Sequence, residues 1–254
     1  VEDEIDDDNA MYDVVIVGAG IAGLATAVGL YERSRRNSKS NSNSNSNSKS
    51  KSNTTPIQLL VIEKATQLAK VGASIAVFTN GLRALSYLSS TVATHVKTAC
   101  IPIEQIVVKD GTSGAVLEVK DMLSKKNQQQ NSTRKSNVNY MVWYLLQQYL
   151  KEALPSNSIQ LNQKVISYQI MEQNKNDQNT TNHNNKNKNK KQKQLQHNVI
   201  LKVVDGSSGR RRWIKTKVLI GCDGIHSRIR DQLFGTGCVQ KVYHGKVSYR
   251  CVIP

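Results

Sequence analysis

The sequence predicts an α/β fold: a parallel sheet carrying helices, interrupted by an antiparallel β insertion. Three observations lead there. An apolar run, Tyr12–Val17 (YDVVIV), interrupted only by Asp13, passes directly into a glycine turn and a helix of small residues. A second apolar run, Val218–Ile220, passes into another small-residue turn and then into Ser227–Phe234, far downstream. Between these two pieces the chain alternates short apolar runs with Asp/Gly/Ser turns, the pattern of a strand-rich insertion.

Tyr12–Val17 has the composition of a strand buried on both faces. The turn that follows is Gly18-Ala19-Gly20-Ile21-Ala22-Gly23, a G-x-G-x-x-G pattern opening the helix IAGLATAVGLYER. In that pattern the first glycine permits the tight turn. The second lets the backbone approach a pyrophosphate, and the third lets the helix pack on its strand. The pyrophosphate would rest on free N–H groups at the helix N-terminus. Together these features predict a Rossmann-like dinucleotide site.

The next strand, Ile57–Ile62, ends in Glu63-Lys64, both assigned to the cofactor site. An acidic residue there accepts the ribose hydroxyls of the adenosine half and repels a 2′-phosphate, so FAD or NAD is expected over NADP. Glu63 lies 40 residues beyond Gly23, where about 20 is usual. The low-complexity tract Ser34–Asn53 accounts for the excess. In the insertion, Ile103–Lys109 and Ala115–Val119 flank Asp110-Gly111 and predict a hairpin. Ile159–Ile170 and Asn198–Val204 read as strands joined through an Asn/Lys tract. A turn at Asp205–Gly209 leads into Arg210–Ile220.

The second piece continues as GCDGIHSRIR, with Asp223 and Gly224 in the turn and Ser227 and Arg230 at helical spacing. Two such pieces imply a ligand larger than one nucleotide half. Here the chain resembles the FAD-dependent aromatic-ring monooxygenases, the group containing salicylate and para-hydroxybenzoate hydroxylases and zeaxanthin epoxidase. The resemblance spans about residues 11–254, broken by the low-complexity tracts. Cys222 stands where alanine is more usual. The resemblance implies that Asp223 lies near the FAD pyrophosphate, and that Asp223 and Arg230 also bear on NAD(P)H use. Val71–Leu88 is similar to the family segment that passes near the isoalloxazine ring, with Asn80 and Gly81 starting a helix that carries Leu82, Leu85 and Leu88. Tyr243–Pro254 is similar to the first strand of the family's substrate domain.

Two departures stand out. Trp143, ahead of Leu146 and Leu150, occupies the position of an arginine that helps hold FAD in the family. The family's Gly-Asp-Ala-Ala-His-like segment does not occur. The resemblance therefore implies the N-terminal, FAD-binding part of a monooxygenase that hydroxylates or epoxidises through a flavin hydroperoxide, with NAD(P)H as co-substrate. A small aromatic or isoprenoid molecule is the expected substrate. The alternative is a non-catalytic or degenerate FAD-binding homologue. No catalytic side chain is singled out, because in such enzymes the cofactor carries the chemistry.

The expected organisation is an acidic tail over 1–10 and an FAD-binding domain over 11–235 with polar inserts at 34–53, 124–138 and 172–197. The start of a truncated substrate domain follows over 236–254. The 254 residues are read as a fragment without turnover of its own. The net charge of +16 sits mostly in the three inserts, which carry 13 of those charges and no interleaved aromatics. Specific nucleic-acid binding is therefore not expected. The cysteines, Cys100, Cys222, Cys238 and Cys251, lack metal-site or disulfide spacing and are expected to be small buried thiols, with no metal bound. No apolar run is long enough for a transmembrane span. The acidic start is unlike a signal or transit peptide, so an intracellular, cytoplasmic protein is expected.

Overall fold

The computed structural model describes residues 11–40, 56–68, 70, 74–122, 138–172, 197–240 and 242–245. The acidic tail and most of the three inserts lie outside the described residues. Of the strand expected over Tyr243–Pro254, only 243–245 are described, and they form no regular element. In chain order the first elements are β1 (Met11–Val17), α1 (Ile21–Ser40), β2 (Leu59–Ile62), β3 (Ser74–Phe78), α2 (Thr79–Leu88) and α3 (Ser90–Ala99). Then come β4 (Ile101–Pro102), β5 (Gln105–Lys109), β6 (Val116–Asp121), β7 (Val138–Val142) and α4 (Trp143–Glu152). The last are β8 (Ile159–Gln160), β9 (Gln163–Glu172), β10 (His197–Asp205), β11 (Arg211–Gly221) and α5 (Arg228–Phe234).

The main sheet has the order β8-β2-β1-β11-β10-β9. Its first four strands are parallel, and β11, β10 and β9 form an antiparallel meander. This is the expected α/β fold with its antiparallel insertion. The apolar runs are explained by two cores, one on each face. Side chains alternate along a strand, so Val14, Ile16, Leu59 and Val61 face a core shared with α1, α2, α3 and α4. Val15, Val17, Leu60 and Ile62 face a second core with Val165, Leu201, Val203, Ile214 and Ile229. The meander folds back over this second face: the Gln163 N–H, at the start of the far edge strand β9, donates to the Glu63 carbonyl at 2.9 Å.

Three expectations are corrected. Helix α1 continues to Ser40, seven residues into the tract read as an unstructured insert. Ser34 anchors it, accepting from the Ile57 N–H at 3.0 Å and from the Ser38 hydroxyl at 3.1 Å. The run Ile159–Ile170 is two strands, because Asn162 takes φ 56°, a left-handed conformation that asparagine tolerates. Its N–H is held by the Ala65 carbonyl and its side chain by Ser207, so β8 stays beside β2 while β9 turns onto the other face. Lastly, Cys238 is exposed, unlike half-buried Cys100 and Cys222. It follows α5 directly after two positive-φ glycines, Gly235 and Gly237, and belongs to neither core.

The helix over Thr79–Leu88 begins where Asn80 and Gly81 place it, with Leu85 buried. The expected hairpin forms as β5–β6, a separate two-stranded sheet. A third sheet, β3-β7-β4, leads directly into α4.

Candidate functional site

Strand register builds the site. Val17 pairs with Ile62 on one side and Gly221 on the other, so β1, β2 and β11 end at one level. The glycine turn, Glu63 and the Cys222–Gly224 turn are thereby set side by side at the carboxyl ends of parallel strands, where α/β sheets bind ligands. Backbone bonds lock the alignment. The Gly18 N–H donates to the Ile62 carbonyl, and the Cys222 N–H to the Val17 carbonyl, each at 2.8 Å.

The glycines at both ends of the turn are demanded by close approach. Gly18 has φ +105°, and a Cβ there would meet the Cys222 carbonyl oxygen at 2.3 Å. A Cβ on Gly23 would meet the Gly18 carbonyl oxygen at 1.9 Å. Gly20 differs: nothing lies within 4 Å of the place a Cβ would take, so its backbone is open to a ligand. Ala19 is buried, while Ile21 packs on the helical core and Ala22 is exposed.

A cleft of about 270 Å³ lies over this junction. Of the residues singled out in the sequence, Gly18, Gly20, Glu63, Lys64, Asp223 and Gly224 line it. Ala19, Ile21, Ala22 and Gly23 support the turn from behind. Arg230 is not in the lining; its guanidinium pairs with Asp231 at 2.9 Å and donates to the Ile225 carbonyl. The cleft is at the lower end of the size of small-molecule sites, enough for one part of a dinucleotide.

Glu63 is already engaged by the protein. One carboxylate oxygen accepts from the Ala19 N–H at 2.7 Å, the other from the Ala65 N–H at 2.9 Å. It therefore braces the glycine turn as well as facing the cleft. Asp223 accepts from the Arg228 N–H at 2.7 Å and the Ile229 N–H at 3.3 Å through one oxygen, which starts α5. Its other oxygen is buried without a partner. A buried carboxylate oxygen requires a donor, and a ligand hydroxyl supplies one. Burial pushes the Cys222 thiol up, the Asp223 charge adds to this, and a hydrogen bond with Thr26 opposes it. Cys222 thus stays a neutral thiol beside the turn.

Sequence reasoning missed several residues. Gln147 is buried and donates from its side chain to the Ala19 carbonyl at 2.8 Å, tying α4 to the glycine turn. Its signal was a polar residue between Leu146 and Leu150 on the buried stripe of that helix. Lys164 and Arg228 line the cleft, brought there by the turn at Asn162 and by the capping of α5, neither of which periodicity reveals. Trp143, half-buried at the start of α4, does not line it.

The model of the FAD binding domain family matches residues 103–244, more than half of the chain. The chain belongs to the FAD-binding domain family. Among curated proteins it is 29% identical over 260 residues to the FAD-dependent monooxygenase SAT7 of Stachybotrys chartarum, covering 98% of this chain and 44% of that protein. It is 25% identical to Monooxygenase 1 of Arabidopsis thaliana, over 87% of this chain and 40% of that one. The chain thus spans less than half the length of these relatives. Among solved structures, the flavin-dependent monooxygenase PieE in complex with FAD and substrate superposes with a TM-score of 0.60 at 17% identity, covering 89% of this chain and 32% of PieE. That likeness is one of fold.

The residues present fit FAD on their own chemistry. The Gly20 backbone is open, the first turn of α1 carries no acidic residue, and the orphaned Asp223 oxygen awaits a donor. Among the described residues no helix is long and apolar enough to cross a membrane.

Proposed function

We propose that this chain is the FAD-binding part of a flavin-dependent monooxygenase that uses NAD(P)H and O2 to hydroxylate or epoxidise a small aromatic or isoprenoid molecule. The observation that carries the reading is the alignment of three strand ends, which brings the glycine turn, Glu63 and Asp223 around one cleft. The monooxygenase relatives, similar along most of this chain, support the reaction class. No observation favours a non-catalytic homologue. Residues 11–235 form the FAD-binding domain in this reading, and 236–254 begin the substrate domain.

Each residue has a task. The N-terminus of α1 and the Gly20 backbone receive the pyrophosphate. Glu63 accepts the ribose hydroxyls of the adenosine half while keeping the glycine turn in place, with Lys64 beside it. Asp223 accepts a cofactor hydroxyl on its open oxygen, and Gly224 lets the chain pass close to the ligand. Arg230, tied to Asp231, holds the turn ahead of α5 in shape. Bound FAD supplies a ring that accepts a hydride from NAD(P)H and activates O2. The protein orients it and excludes water, which keeps the oxygen chemistry coupled to substrate.

FAD retention tests this. Glu63→Ala should weaken FAD binding by about 1–3 kcal/mol, and Glu63→Arg by more, measured by quenching of flavin fluorescence. Glu63→Gln, which keeps an acceptor for the Ala19 N–H, should fall between wild type and Glu63→Ala. If all three retain FAD as wild type does, the ribose contact lies elsewhere. In the full-length protein, NAD(P)H oxidation without an oxygenated product from any aromatic or isoprenoid compound would count against the monooxygenase reading.

A further inference from the structure

Lys164 and Arg228 stand on different elements that converge on the same cleft. Lys164 is the second residue of β9. Its neighbour Gln163 is tied through its N–H to the Glu63 carbonyl, so Lys164 flanks the Glu63 end. Arg228 is the first residue of α5, and the Asp223 carboxylate holds its N–H at 2.7 Å, so Arg228 flanks the Asp223 end. Both side chains are exposed to the cleft, and neither has an ion pair or side-chain hydrogen bond among the described residues.

The carboxylates of the cleft, Glu63 and Asp223, form no ion pair with either cation among the described residues. Both oxygens of Glu63 accept backbone N–H groups, and so does one oxygen of Asp223. The cations are left without a charge partner, with the open backbone of Gly20 in the same cleft. Elsewhere in this chain exposed cations do find carboxylates: Lys217 reaches Asp13 at 2.6 Å and Arg35 reaches Glu32 at 3.4 Å. With Lys64, which lines the same cleft, Lys164 and Arg228 outnumber Glu63 and Asp223 by three charges to two, and the positive excess favours an anion.

We propose that Lys164 and Arg228 form a two-sided clamp for the diphosphate of the bound dinucleotide. The proposal rests on the FAD reading above and names the residues that supply its positive charge. It makes the binding of ligands that carry the diphosphate salt-sensitive. Because the two cations come from β9 and α5, the clamp closes only once the antiparallel meander has folded over the sheet.

The test is titration of the whole chain with ADP, FAD and riboflavin, followed by calorimetry or flavin fluorescence at low and high salt. The variants are Lys164→Gln, Arg228→Gln, the double variant, and Lys97→Gln as a control of equal charge change on the exposed side of α3. Each single variant should bind ADP and FAD roughly three- to tenfold more weakly than wild type at low salt. Riboflavin binding should stay unchanged, as should ADP binding by the control. High salt should shrink the difference between wild type and the double variant.

Wild-type ADP and FAD affinity in both single variants would overturn the clamp and leave the FAD reading standing. Unchanged FAD affinity with a selective loss of NADPH relative to NADH would also overturn it, placing the pair on a 2′-phosphate instead. Failure of the wild-type chain to bind either ADP or FAD would remove the FAD reading and the clamp together.

Discussion

Two hairpins in this protein share one turn and differ in everything else. Between β5 and β6 the turn is Asp110-Gly111-Thr112-Ser113-Gly114; between β10 and β11 it is Asp205-Gly206-Ser207-Ser208-Gly209. In both, an aspartate oxygen accepts two backbone N–H groups and a serine hydroxyl. In both, the last glycine takes a positive φ, 71° and 70°, and its N–H returns to the aspartate carbonyl. Yet Leu201, Val203 and Ile214 of the second hairpin are buried in a core, while all six residues of β6 are exposed. Local chemistry closes a hairpin, and only the surface it lands on decides whether the hairpin contributes to stability. β11 lands beside β1 and becomes part of the main sheet. Among the described residues β5–β6 pairs only with itself, and an isolated two-stranded ribbon is marginal in water.

The widest separation is expected from equal truncations in the two hairpins. Val203→Ala, at a fully buried position, should destabilise the protein by about 2–3 kcal/mol. Val119→Ala, 51% exposed, should change it by less than about 0.5 kcal/mol. Urea midpoints read both. Equal shifts would show that β5–β6 belongs to the same cooperative unit as the sheet.

A smaller effect is expected from the turns. Gly209→Ala forces a Cβ into a left-handed conformation and should cost about 1–2 kcal/mol of global stability. Gly114→Ala carries the same local strain but should leave the global midpoint in place, because the hairpin opens by itself. Hydrogen exchange separates the two: β5–β6 amides should lose protection in the second variant while β10–β11 amides keep theirs. Loss of protection in both hairpins would join them into one unit.

The smallest effect lies in acid. Asp110 and Asp205 are both held below the usual carboxylate range, first by the backbone N–H of the serine they accept and then by its hydroxyl. A depressed folded-state value contributes stability that is complete above the unfolded aspartate value near 4 and disappears as pH falls through the lower folded one. For Asp205 that loss should appear as a fall in the unfolding midpoint below about pH 4. For Asp110 it should appear only as a local titration by NMR. A pH-independent Asp205→Asn midpoint over the same range, alongside a falling wild-type one, would isolate the turn; parallel curves would assign the acid sensitivity to other groups.

Much of the site was legible because it rests on local rules. An apolar run into G-x-G-x-x-G, a strand ending in Glu63 and a turn at Asp223-Gly224 each announce themselves within a few residues, and all three reach the cleft. Gln147 was not legible, because its task depends on where α4 crosses the glycine turn. Arg230 was singled out by the family resemblance, which does not reveal that Asp231 takes up its guanidinium.

The amino-acid sequence alone determined the strands, the glycine turn and the aspartate turns, because apolar alternation, backbone conformation and short side-chain hydrogen bonds act over a few residues. Only the tertiary structure decided that Asn162 breaks one strand into two, that β11 joins β1 in register, and that Lys164 and Arg228 meet over one cleft. Those outcomes depend on groups distant in the chain competing for the same buried surface and the same backbone donors. No local pattern carries that competition; it is resolved when the two cores close on the sheet.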